Sequence, residues 1–126
     1  MDENEMRAVV EAAYARWNSA FNRGDAAGIA ALYAPHACFL PATHAVHVGP
    51  DEIRRFFAGV LADGLTGHAN EILAVGGDGR LVHAATRWTV RTGAEAGGEG
   101  VASGCALHVL ERLDDGSVRI VAHSFN

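Results

Sequence analysis

Seven histidines fall within a chain of 126 residues, and their spacing is the first place to look for chemistry. The densest group is His36 followed by His44-x-x-His47. Metal ligands must converge, whereas a three-residue step along extended chain sends side chains to opposite faces. No carboxylate follows at ligand spacing, so no metal site and no cofactor are expected, and these three read as solvated loop residues. His83 and His108 fall on outward strand faces by simple alternation, which assigns them to a subunit contact rather than to catalysis. His123 shares a face with Val121 and Phe125 near the end of the last strand. An imidazole titrating near neutrality there can serve as acid or base toward a bound ligand. The same residue can equally be a hydrogen-bonded core histidine, since no carboxylate in its sequence context orients the ring. Tyr14, one helical turn before Trp17, can donate its phenol to a ligand oxygen, although its spacing also fits a buried stripe. His123 and Tyr14 are therefore the two catalytic candidates. Cys105 reads as a small inward hydrophobe, because no neighbour in sequence would stabilise its thiolate.

The elements that position these residues follow from periodicity. Val10, Tyr14, Trp17 and Phe21 recur at helical spacing, predicting one amphipathic helix over about residues 4 to 22. Gly24 ends it, and Asp25 caps a second helix that carries Ile29, Leu32 and Tyr33 and stops at Pro35. A short strand, ACFLPA, follows. GPDEIRRFFAGVLADG signals a third helix, with Pro50 in its first turn and Gly64 closing it. The period then changes to two. HANEILAV, LVHAATRWTVRT, VASGCALHVLERL and SVRIVAHSFN predict four strands joined by GGDG, by the glycine-rich TGAEAGGEG and by the turn at Asp115-Gly116. The glycine-rich joint reads as a hairpin tip, because it lacks the strand and helix flanks that a phosphate loop requires. Helices first and a meander afterwards predict an α+β fold, a cone-shaped curved antiparallel sheet covered by three helices, with its pocket at the mouth of the cone.

On the second meander strand Val82, Ala84, Thr86, Trp88 and Val90 are expected to face inward. On the third, Val101, Ser103, Cys105, Leu107 and Val109 are assigned the inward face, with Ala102, Ala106, His108, Leu110 and Arg112 outside. Both faces of that strand are largely apolar. The expectation is that the outer sheet face meets a second copy of the chain, forming a homodimer.

Composition sets the remaining bounds. The length predicts one domain, residues 1 to 126. With 49% hydrophobic and 20% charged residues, the chain has the means to fill a core. A formal charge of −5, with ten dispersed basic residues that are all arginine, argues against a nucleic-acid partner. The absence of lysine reflects codon usage in a GC-rich genome rather than chemistry. The acidic start followed by an amphipathic helix is unlike a signal peptide, and no apolar run has the length of a membrane span. A cytoplasmic protein without membrane contact is expected, with Cys38 and Cys105 as reduced thiols.

The phrases WNSAFNRGDAAGIAALYAPHACFLP, HVGPDEIRRFF and LERLDDGSVRIVAHS resemble the nuclear transport factor 2-like superfamily, most closely its SnoaL-like and SgcJ/EcaC-type branch, which shares the cystatin-like and ketosteroid-isomerase-like α+β barrel. The resemblance covers essentially the whole chain and implies a single SnoaL-like domain with a ligand cavity. It implies no one reaction, since such folds serve isomerases, cyclases, dehydratases, epoxide hydrolases and binding modules. Aligned through the Asn-x-Gly-Asp joint, the isomerase's tyrosine falls at Trp17, its base aspartate at Pro41 and its donor aspartate at Leu107. None is retained, and neither Leu40 nor Ala42 supplies the base. Aspartate-driven isomerisation of a ketone is thereby disfavoured. An apolar funnel is left, whose expected lining is Tyr14, Trp17, Phe39, Phe56, Phe57, Thr86, Trp88, Cys105, Leu107 and His123; Phe21 and Tyr33, crowded with Trp17 and Phe39 beside the Gly24 joint, are expected to wall it too. Its expected guest is a hydrophobic, polyketide-like or aromatic small molecule, acted on by a cyclase, isomerase or dehydratase chemistry or merely bound. The alternative is a non-catalytic dimerisation module whose cone is filled.

Overall fold

The computed structural model of the chain describes residues 1–93 and 100–126. Most of the glycine-rich joint, 94–99, lies outside the described residues, and with it the expected hairpin tip. Helix α1, Glu3–Asn22, starts where Asp2 accepts a hydrogen bond from the Glu5 amide at 2.8 Å, and it buries Met6, Val10, Tyr14, Trp17, Ala20 and Phe21 along one stripe. Gly24, at φ +73°, makes the joint. Asp25 then caps α2, Ala26–Ala30, by accepting from the Gly28 amide.

The second helix is shorter than its sequence predicts. Strand β1, Tyr33–Leu40, begins before Pro35, so Tyr33 belongs to the sheet. The cause is long-range pairing: the Ile120 amide donates to Leu32 O at 2.9 Å, and Tyr33 stands opposite Ile120. That partner lies far along the chain and is invisible to local propensity. Pro35 falls inside the register shift between Tyr33 and Cys38, where no ladder bond is lost. A two-residue strand β2, His47–Val48, pairs antiparallel with β1. Helix α3, Pro50–Ala62, buries Ile53 and Phe57.

The meander is β3, Thr66–Gly77; β4, Leu81–Thr92; β5, Gly100–Arg112; and β6, Val118–Phe125. The six-stranded sheet has the order β2-β1-β6-β5-β4-β3. Four consecutive strands pair antiparallel, as hairpins require. The β1–β6 pair is parallel, correcting the expectation of a wholly antiparallel sheet: α3 and the meander separate these strands, so no hairpin fixes their relative sense.

A second correction concerns β5. Its inward residues are Ala106, His108 and Leu110, while Cys105 is exposed and Leu107 is 49% exposed. Directly opposed residues of an antiparallel pair share a face. Since Thr86, Ala84 and Val82 oppose Ala106, His108 and Leu110, the assignment made from β5 alone is reversed by one residue. A strand apolar on both sides carries no local signal of its parity. The inward set on β4 is as expected, with Val82, Ala84, Thr86 and Val90 all buried.

Candidate functional site

Between the helices and the sheet lies a cavity of about 170 Å³, slightly larger than a hole that accepts benzene. Its walls are mostly hydrocarbon. Trp17 and Phe21 come from α1, Phe56, Phe57 and Val60 from α3, and Trp88, Val90 and Phe125 from the sheet. The aromatic rings hold one another: Trp17 stacks on Phe21 at 5.4 Å and meets Phe57 edge-on at 5.3 Å, and Trp88 meets Phe125 edge-on at 5.7 Å.

The polar groups gather on one wall. His108 on β5 and His123 on β6 are directly opposed in the ladder, and their rings stack with centroids 3.9 Å apart. Each engages a tyrosine through Nδ1. Tyr14 Oη lies 2.8 Å from His108 Nδ1, and Tyr33 Oη lies 2.8 Å from His123 Nδ1. Trp17 Nε1 donates to Tyr33 Oη at 3.1 Å. All five side chains are buried. Burial pushes the His108 imidazole down to about 3, with His68 adding a smaller repulsion, and it holds His123 well below its ordinary value with repulsion from His108 and His68 in support. Both rings are therefore neutral at pH 7. Burial raises both tyrosines far out of the physiological range, the Thr86 hydroxyl opposing it weakly at Tyr14 and the Trp17 indole at Tyr33.

A third histidine stands on the β3 side. Asn22 clamps the His68 backbone, accepting from its amide at 2.8 Å and donating to its carbonyl at 3.2 Å, while Asn18 Oδ1 lies 2.7 Å from His68 Nδ1. Its ring packs 4.6 Å from Trp17, and burial pushes it down to about 4. Beside it Asn70 opposes Trp88 across the β3–β4 ladder. Asn70 Oδ1, Trp88 Nε1 and Thr86 Oγ1 are buried without a hydrogen bond of good geometry, and Asn70 and Trp88 line the cavity. Unsatisfied polar atoms beside a hollow are groups that a guest can satisfy. No carboxylate occurs among the described residues lining it.

Of the residues expected to line the site, Tyr14, Trp17, Phe56, Phe57, Trp88 and His123 stand at the cavity. Phe39 is wholly buried behind it, 4.9 Å from His123 and 5.3 Å from Phe57, and supports those rings. Thr86 is likewise buried behind Tyr14. Cys105 and Leu107 are on the opposite face of the sheet, a correction that follows from the β5 register. His108, expected outside, is 3% exposed and lines the cavity. Leu107, where the isomerase comparison placed a donor aspartate, is thus outside, and the neighbouring inward residue is His108. His36, His44, His47 and His83 stay apart from the cavity, and the described residues contain no cluster of three or more metal-ligating side chains. Phe21 lines the cavity and Tyr33 stands behind it at His123 Nδ1; sequence reasoning missed His68, Asn70, Leu65 and Ala106 as parts of the site. A signal for two of them was present: His68, Asn70 and Ile72 alternate onto one face of β3, the side that Ile72 marks as buried.

The SnoaL-like domain family matches residues 14–123, which include every side chain of the polar wall. No curated protein matches the chain. Among solved structures, Aln2 from a Streptomyces species is similar over 100% of this chain and 93% of its own, with 23% identity and a TM-score of 0.87. ActVI-ORFA from Streptomyces coelicolor is similar over 97% and 96%, with 18% identity and a TM-score of 0.81. A ketosteroid isomerase-like protein from Erwinia carotovora atroseptica is similar over 98% and 96%, with 23% identity and a TM-score of 0.82. At these identities the likeness is one of fold, the cystatin-like fold also recorded for a domain from Nostoc punctiforme.

Proposed function

The chain belongs to the SnoaL-like domain family, and from that premise we propose that it is a small-molecule pocket protein whose ligand is a hydrophobic, polyketide-like or aromatic compound of one or two rings. The observation that carries this reading is the 170 Å³ aromatic cavity with two tyrosine–histidine pairs on one wall. A concave hollow bordered by unsatisfied polar atoms is what a ligand site needs and what a filled core avoids. The chemistry available is proton handling and polarisation by imidazole and phenol, suited to a cyclisation, isomerisation or dehydration in which no carboxylate takes part. Tyr14, Trp17, Phe56, Phe57, Trp88, His108 and His123 are the proposed ligand contacts. The likeness of the sequence phrases supports membership of the SgcJ/EcaC-type branch.

Titration with small aromatic ligands, followed by Trp17 and Trp88 fluorescence, tests the reading. Saturable quenching that Trp88→Ala weakens supports it, and no response to any ligand refutes it. A second reading, association through the outer sheet face, draws on one observation: Val101 is 71% exposed, Leu107 49% and Leu73 45%. A homodimer through this face is proposed alongside the pocket. Sedimentation equilibrium of the wild type and Leu107→Glu decides it, a dimer that the variant breaks being the expected result.

A further inference from the structure

The tautomers of the two stacked histidines are fixed by the bonds around them. Trp17 Nε1 is a donor only, so its bond occupies a lone pair of Tyr33 Oη. Tyr33 is 4% exposed, and its own hydroxyl proton needs an acceptor. The one at hand is His123 Nδ1, 2.8 Å away. If His123 instead carried its proton on Nδ1, Tyr33 Oη would receive two donors and its own proton would be buried without an acceptor, which the fold pays for as lost hydration. Nδ1 is therefore bare, and the proton of the neutral ring sits on Nε2. The same logic holds at Tyr14. Thr86 Oγ1 makes no hydrogen bond of good geometry, so among the described residues the partner of Tyr14 Oη is His108 Nδ1 at 2.8 Å, and the buried Tyr14 proton goes to that nitrogen. In both rings the nitrogen left over for a guest is Nε2, and both rings line the cavity.

Resting on the pocket reading above, we infer that His108 and His123 present a pair of neutral Nε2–H donors to the cavity, which thereby selects apolar guests carrying a carbonyl, enolate or phenolate oxygen. Their role is the opposite of a general base. A neutral imidazole N–H in a dry site polarises a carbonyl and stabilises negative charge developing on its oxygen, with no charge of its own to desolvate. The line from the Trp17 indole through Tyr33 to His123 holds this polarity in place, each group donating to the next. Tyr33 is thus a positioning residue that acts through His123.

Two measurements test this. In the first, long-range nitrogen–proton correlation spectra of histidine-labelled wild-type protein at pH 7 report the tautomers directly. Protonated Nε2 and bare Nδ1 on both buried rings are expected, and a proton on Nδ1 of either overturns the inference. In the second, acetophenone and α-methylstyrene are compared by fluorescence titration. They have the same shape, and only the ketone offers an acceptor. The ketone is expected to bind about tenfold more tightly, the equivalent of one or two hydrogen bonds. Tyr33→Phe is expected to leave His123 as a mixture of tautomers and to shrink that preference. Equal binding of the two compounds by the wild type overturns the donor pair and leaves the pocket reading standing. No binding of either, up to its solubility, sinks the pocket reading and the donor pair together.

Discussion

Acid should destabilise this protein through its buried imidazoles. His68, His108 and His123 share an ordinary value of 6.5, and in the fold they are lowered to about 4, to about 3 and well below 6.5 respectively, chiefly by burial. Between those limits the unfolded chain binds a proton at each site that the folded chain refuses, so stability is full above 6.5 and falls as pH drops toward the folded values. From pH 7 to pH 5 His68 and His108 each remove about 2 kcal/mol, about 4 kcal/mol together, and His123 acts in the same direction. That is a large share of the stability of a domain this size, about 5–15 kcal/mol. Urea unfolding followed by circular dichroism at pH 7, 6 and 5 measures it, and His108→Gln is expected to remove about a third of the slope. A stability that stays level across the window, or a slope unchanged in His108→Gln, would show that these rings are hydrated or charged in the fold and would refute the reasoning.

Other outcomes follow from single contacts. Ala106→Leu, on the inward face of β5 and at the cavity, should abolish acetophenone binding while moving the thermal midpoint by only about 3 °C, since the added methylenes enter hollow space. Ile53→Ala, at a fully buried position, should cost about 2–5 kcal/mol in urea unfolding. Gly77→Ala should cost about 1–3 kcal/mol in the same assay, because φ is +136° there and an added Cβ would run into the Leu81 carbonyl. Asp25→Ala, which removes the acceptor for the Gly28 amide, should lower the urea midpoint.

Local signals made much of this architecture legible in the sequence. The stripe of α1, the Gly24–Asp25 joint, Pro50 at the start of α3 and the alternation of β4 each announce an element through its own residues. The family likeness could be recognised from the same stretches. Failures cluster where a distant partner decides. Tyr33 looks helical until Ile120 claims it for the sheet. The facing of His108 depends on which residue of β4 it opposes, and β5 is apolar on both sides. These two errors blurred the polar wall: of its four tyrosine and histidine members, His123 and Tyr14 were marked as polar candidates, Tyr33 was read only as an aromatic of the cavity wall, and His108 was placed outside. His68 was passed over because its value lies in the rings around it, Trp17, Phe21 and Trp88.

The polar wall is tied together from opposite ends of the chain: Tyr14 and His108 are 94 residues apart, and Tyr33 and His123 are 90 apart. During synthesis both phenols leave the ribosome long before their acceptors exist, and β1 waits with an open edge until β6 arrives to lie beside it. A nascent chain halted before β6 would bear sticky aromatic surface and an unfinished sheet, the condition in which chaperones engage. Slow folding, governed by closure of that last long loop, is the kinetic consequence of drawing the wall from both termini.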